Sequence, residues 1–179
     1  MPRYVALLRG VNVGTGNRVP MAEFKILLEG LGCTDVKTLL NSGNAVFSSA
    51  TRLAEKLASA IAAQVEAKFG VTTPVVVKSA AELAAIISTA PMRPLDEEHS
   101  RFLVAFGRDE NAVQALAPLV PLAQAPECLV ITKQAAYLHC PEGLLQSKVG
   151  EAMLGKAGRG VTTRNWATVL KIEALLSAA

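Results

Sequence analysis

Aromatic residues make up only 4% of this 179-residue chain, and that scarcity argues against one whole manner of nucleic-acid recognition. Proteins that grip single strands stack bases on rings, and five Phe, two Tyr and one Trp leave little for such a platform. Histidine is scarcer still. With two His and no Cys-x-x-Cys pair, a zinc site would have to draw on scattered ligands, so no metal and no cofactor are expected. The three cysteines, Cys33, Cys128 and Cys140, are odd in number, widely spaced and set in apolar runs. They read as small buried hydrophobes in a reducing cytosol, not as a disulfide framework. No apolar run reaches the ~20 residues of a membrane helix. Met1-Pro2-Arg3-Tyr4 leads straight into a short apolar segment with no cleavage site behind it, so a cytoplasmic protein away from membranes is expected.

What is present is a globular composition, 51% hydrophobic and 18% charged, in a length that suits one large domain or two small ones. A chain of this size buries roughly 70% of its unfolded surface, enough for a core without disulfides or a structural metal. The net charge of +3 is unevenly spread, at +2 over residues 1–50, −2 over 51–145 and +3 over 146–179. Duplex-DNA binders bring many more phosphate contacts, each adding about 0.9 to the salt slope, so bulk duplex binding is not expected.

Arg3 to Leu8 reads as a buried strand ending at Gly10, and Pro20 as the first position of a helix carrying Met21, Phe24, Leu27, Leu28 and Leu31, with Gly32 as its stop. Val36 to Leu40 and Ala45 to Ser48 flank Asn41-Ser42-Gly43-Asn44, which suggests a hairpin. Leu53, Leu57, Ile61, Val65 and Phe69 mark a long amphipathic helix closed by Gly70, and Pro74 to Lys78 a fourth strand. Ser79 and Glu82 have the spacing of a capping box for a helix to about Thr89, after which residues 91–98 read as a linker.

Beyond the linker, Arg101 to Phe106 reads as a strand and Asp109 to Leu116 as a helix. A hairpin of Glu127 to Thr132 and Ala135 to Cys140 follows, then a helix from Ser147 to Leu154. The order β-α-β-β-α-β over residues 3–78 is the ferredoxin-like pattern, and the second half repeats β-α-β-β-α before a last helix beginning near Arg164. The expected fold is therefore α+β: two ferredoxin-like halves with antiparallel sheets, residues 1–78 and 101–179, a helix and linker over 79–100, and an added C-terminal helix.

Two polar stretches stand out, Leu8 to Arg18 and Gly158 to Trp166, each read as lying just before a helix, where free backbone N–H groups and the positive dipole end favour an anion. Neither phosphate-loop consensus is met. A Walker loop counted from Gly10 needs glycine where Thr15 stands, and the dinucleotide fingerprint counted from Gly14 needs glycine where Val19 stands. Arg9, Asn12 and Asn17 can reach over a ligand, but asparagines in a glycine loop equally bond their own backbone. Ser42 and Asn44 are turn formers that can also supply ligand contacts. Ser147 can cap a helix beside the positive charge of Lys148, and Thr163, Arg164 and Asn165 repeat that arrangement with a bidentate guanidinium. Trp166 either stacks on a base or begins an apolar stripe. Along its strand His139 shares a face with Tyr137, opposite Leu138 and Cys140.

In the same order along nearly the whole chain, Tyr4 to Gly14, Pro20-Met21-Ala22-Glu23, Ser42 to Phe47, Tyr137-Leu138-His139, Ser147-Lys148 and Thr162 to Trp166 resemble the signatures of the bacterial domain-of-unknown-function family 1697. The resemblance implies an α+β fold with two ferredoxin-like halves; the family's name assigns no activity. This chain departs from the family's usual pattern at Ala167, where a further asparagine is usual, and at Asn41, where glutamine is usual, so the carried-over C-terminal set stops at Trp166.

Three functions follow as expectations. The first is a binding protein holding a phosphate-bearing small molecule or short single-stranded nucleic acid with Arg9, Asn12, Asn17, Ser42, Asn44, Ser147, Lys148, Thr163, Arg164, Asn165 and Trp166. The second is a small-molecule enzyme with Lys148 or His139 transferring a proton and Arg164 clamping an anion. The third is a structural or interaction module whose polar motifs only cap helices and close turns.

Overall fold

The computed structural model describes residues 1–178. Its elements run β1 (Arg3–Leu8), α1 (Met21–Gly30), β2 (Thr34–Leu39), β3 (Asn44–Ser48), α2 (Ala54–Phe69), β4 (Val75–Ser79) and α3 (Ala80–Ser88), then β5 (Phe102–Gly107), α4 (Glu110–Gln114), β6 (Cys128–Ile131), β7 (Ala135–His139), α5 (Lys148–Leu154), β8 (Val161–Asn165) and α6 (Trp166–Ser177). This is an α+β protein with two four-stranded sheets, ordered β2-β3-β1-β4 and β6-β7-β5-β8, in which every described pairing is antiparallel. Two compact units result, Met1–Ala84 with the chain from Ile172 onward, and Ala85–Lys171.

In the first unit, alternation along β1 sends Tyr4, Ala6 and Leu8 to one face of the sheet. There they meet Phe24 and Leu28 of α1 and Ile61 and Val65 of α2, at the helical spacing that the apolar residues of those segments announce. Gly70 ends α2 in the left-handed conformation, φ +65°, and its N–H reaches Glu66 O. Pro20 lies one residue ahead of α1, not within it. At the start of β1, the Arg3 guanidinium donates to the carbonyls of Leu175 (2.9 Å), Leu176 (2.7 Å) and Ala178, placing a cation at the negative end of α6.

The capping box forms as its spacing requires. Glu82 accepts from Ser79 N (2.8 Å) and from Ser79 Oγ (2.9 Å), while Glu82 N donates back to Ser79 Oγ (3.2 Å). Ser79→Ala is expected to lower the unfolding free energy by about 1 kcal/mol, read from urea denaturation, because the Glu82 N–H loses its acceptor and the Glu82 carboxylate one of its two donors. An unchanged midpoint would show that the box does not act.

In the second unit, Leu103, Ala105, Leu138 and Cys140 pack with Val113 of α4 and Val149 and Met153 of α5. Tyr137 and His139 take the opposite face as expected, their rings 6.4 and 6.3 Å from that of Phe102. The Tyr137 hydroxyl is buried and donates to Ile86 O at 2.6 Å.

The second half differs from the sequence reading in one element. Residues 161–165 form β8, paired with β5 from Leu103↔Asn165 to Gly107↔Val161, and the last helix starts two residues later than expected, at Trp166. Thr, Thr, Arg and Asn look like a cap sequence, yet β-branched residues also suit a strand, and the buried ladder partner β5 decides between them. The linker is also partly ordered, as Asp96–Arg101 forms a 3₁₀ turn.

Candidate functional site

The loop between β1 and α1 is held by its own asparagines. Asn12 Nδ2 donates to Val19 O (2.8 Å) and to Asn41 O (2.7 Å), while Asn12 Oδ1 accepts from Val19 N (2.9 Å). Asn17 Nδ2 donates to Gly10 O (3.2 Å), and Asn12 N donates to Asn17 O (2.9 Å). Both asparagines adopt positive φ, 56° and 52°, a region that side-chain amides tolerate better than most. Thr73, a buried residue that no sequence motif singles out, clamps the root of the loop: its Oγ1 donates to Arg9 O (2.6 Å) and accepts from Arg9 N (3.2 Å).

These bonds leave the tip of the loop in water. Residues 13–18 are exposed, Val13 at 72%, and Arg18 lies at the end of that stretch ahead of α1. Among the described residues no side chain caps α1, whereas Asp109, Ser147 and Asn165 cap α4, α5 and α6. The 41–44 turn adjoins the loop root through Leu8 N to Gly43 O (2.8 Å). Within that turn Asn44 is fully buried and donates to Leu39 O (2.8 Å) and Ser42 Oγ (2.9 Å). Gly43, at φ +85°, allows the close approach, since a Cβ there would lie 2.7 Å from Leu8 Cβ and 2.8 Å from Val11 Cγ2.

Arg9, Asn12, Asn17, Ser42 and Asn44 therefore gather around one end of the first unit. Ser147, Lys148, Thr163, Arg164, Asn165 and Trp166 belong to the second unit. There the two-residue period of β8 separates them. Thr163 pairs with Ala105 and Asn165 with Leu103, on the face that packs α4 and α5, while Arg164 and Thr162 pair with Val104 and Phe106 and share the other face.

Arg164 is 7% exposed, and its Nη1 donates to Thr162 Oγ1 and Thr163 O, both at 2.8 Å. Desolvation lowers its pKa from the ordinary arginine range to about 10, so the guanidinium stays charged at neutral pH. The folded chain gives up this proton more readily than the unfolded one. The destabilisation from burying the charge is thus present below about pH 10 and relieved as the pH rises from there into the ordinary arginine range.

Two further polar groups cap helices locally. Ser147 Oγ accepts from Gly150 N (2.9 Å) and Asn165 Oδ1 from Thr168 N (2.9 Å), each capping the helix that follows. Trp166, 4% exposed, stands edge-on to Phe102 with ring centroids 5.3 Å apart. His139 Nε2 lies 3.2 Å from Glu98 Oε1, a carboxylate from the 3₁₀ turn. Lys148 is exposed at the start of α5 and lines a separate hollow in which His139 takes no part. Cys33, Cys128 and Cys140 are free, and burial pushes the thiols of Cys33 and Cys140 up. Among the described residues no group of three or more His, Cys, Asp or Glu is placed to hold a metal ion, and no helix is long and apolar enough to cross a membrane.

Two antiparallel sheets with helices packed on them, and a glycine loop clamped by its own amides, define an α+β protein with a preformed polar loop. The chain belongs to the family described as protein of unknown function (DUF1697), whose model matches residues 1–137. It is also similar to the conserved bacterial protein SP0830 from Streptococcus pneumoniae, at 27% identity and a TM-score of 0.75 over 98% of this chain and 99% of that one. No curated protein matches it.

Proposed function

We propose that this protein binds an anionic, phosphate-bearing ligand, of the nucleotide or short single-stranded nucleic-acid class, at the loop from Gly10 to Arg18. One observation carries the reading: the loop is fixed by side-chain bonds at its root, yet it exposes its glycine-rich tip and Arg18 ahead of a helix start that no side chain caps. A preformed loop has little ordering entropy left to lose on binding, and uncapped N–H groups with a nearby guanidinium favour phosphate oxygens. Arg9, Ser42 and Asn44 adjoin this loop in the same unit.

Three wider features belong to the same reading. Each half is ferredoxin-like, a view supported by the β-α-β-β-α-β element order and by sheets in which the first strand lies between the third and the fourth. Residues 79–100 join the halves. The three free thiols suit a reducing cytoplasm.

A structural or interaction module is favoured by a different observation, namely that Asn12, Ser147 and Asn165 all bond their own chain's backbone. One titration separates the two. Inorganic phosphate, ADP, ATP and a short oligothymidylate are expected to raise the melting temperature of the parent, with the gain lost in an Arg9→Ala, Arg18→Ala double variant. No shift with any of the four, or a shift undiminished in the double variant, overturns the anion reading.

A further inference from the structure

We propose that a hollow in the second unit binds a small zwitterion with an apolar side group, of the free α-amino-acid or dipeptide class. Its volume is about 340 Å³, near the lower end of the roughly 300–1,000 Å³ typical of ligand pockets. Pro121, Pro126, Pro141 and Leu122 supply apolar walls from three separate segments. Proline fixes its own backbone, so these walls lose little freedom when a ligand enters.

Charge of both signs lines the same hollow. Lys148 carries the positive group, and Glu127 and Glu142 the negative ones. Among the described residues, none of the three is in an ion pair with a protein partner. Glu127 is half-buried, and its carboxylate acts on the Cys140 thiol, whose pKa is raised first by desolvation and then by that charge. Glu127 and Pro141 line the hollow together. A ligand ammonium fits beside the two carboxylates, a ligand carboxylate fits on Lys148, and the amides of Gln124 and Gln146 complete the polar lining. A purely anionic ligand would meet two carboxylates and a purely cationic one the ammonium, so the lining selects a molecule carrying both charges.

The test is an ¹⁵N-resolved NMR titration of the full chain with each proteinogenic L-amino acid and with L-leucyl-L-leucine. At least one probe is expected to shift the backbone amides around residues 124–127 and 142–148 saturably. N-acetylation or amidation of that probe should weaken binding about tenfold, and Lys148→Met or Glu127→Gln should do the same, the loss of one charge-assisted contact. No saturable shift with any probe, capped probes that bind as well as the zwitterion, or affinity unchanged in both variants overturns the proposal. The loop and the hollow use different residues, so an Arg9→Ala, Arg18→Ala variant should keep this binding, and either site can fail alone.

Discussion

Gly158→Ala is expected to destabilise the protein by about 3 kcal/mol or more, seen as a large drop in the urea midpoint with the slope retained. Gly158 ends the 3₁₀ turn Lys156–Gly158 that follows α5. A Cβ there would overlap the Met153 carbonyl oxygen and lie 2.6 Å from its carbon and 3.1 Å from the Met153 Cα. These are backbone atoms of α5, so no rotamer change relieves the clash, and the turn or the last helical residues must move. Gly30 makes the opposite case: it lies within α1, and an added Cβ would meet nothing within 4 Å. Gly30→Ala should stabilise by up to about 1 kcal/mol through helix propensity and a less free unfolded chain. A Gly158→Ala protein that melts with the parent would contradict the tight turn.

Asn12→Ala should cost about 2–4 kcal/mol, since it removes three hydrogen bonds of roughly 1 kcal/mol each and leaves alanine at positive φ. The bonds join the loop to the start of α1 at Val19 and to the 41–44 turn at Asn41. Asn12→Gly restores the backbone preference without the amide, so its difference from Asn12→Ala isolates the strain. Hydrogen exchange gives a second readout, with amides of residues 10–19 losing protection in both variants while those of β5 and β7 keep theirs. Loss of protection across the whole chain would mean that Asn12 supports more than its loop. If the anion reading holds, both variants should also bind ADP more weakly than the parent, because a mobile loop must be ordered by the ligand.

Much of the fold is legible in the residues. The alternation in β1, the four-residue apolar spacing of α2, the Ser79 and Glu82 box and the Gly70 stop each depend on neighbours within about one helical turn or a few strand residues. The site is less legible. Thr162 to Asn165 read as a helix start because their residue types suit a cap, and only pairing with β5 makes them a strand. That pairing divides a motif that looks continuous: Arg164 goes to one face of the sheet, Thr163 and Asn165 to the other. Trp166 is as ambiguous in sequence, and its contact with Phe102 places it in the core.

Local sequence determined the helices, most strands, the caps and turns, and the position of the glycine loop, because short-range periodicity and backbone preference act between near neighbours. Tertiary structure decided which polar groups face water and which are held inside. The partners that hold them come from far along the chain, as Thr73 does for Arg9, Asn41 for Asn12 and Glu98 for His139. A hydrogen bond is formed by proximity in space, and folding alone brings such residues within hydrogen-bonding distance of one another.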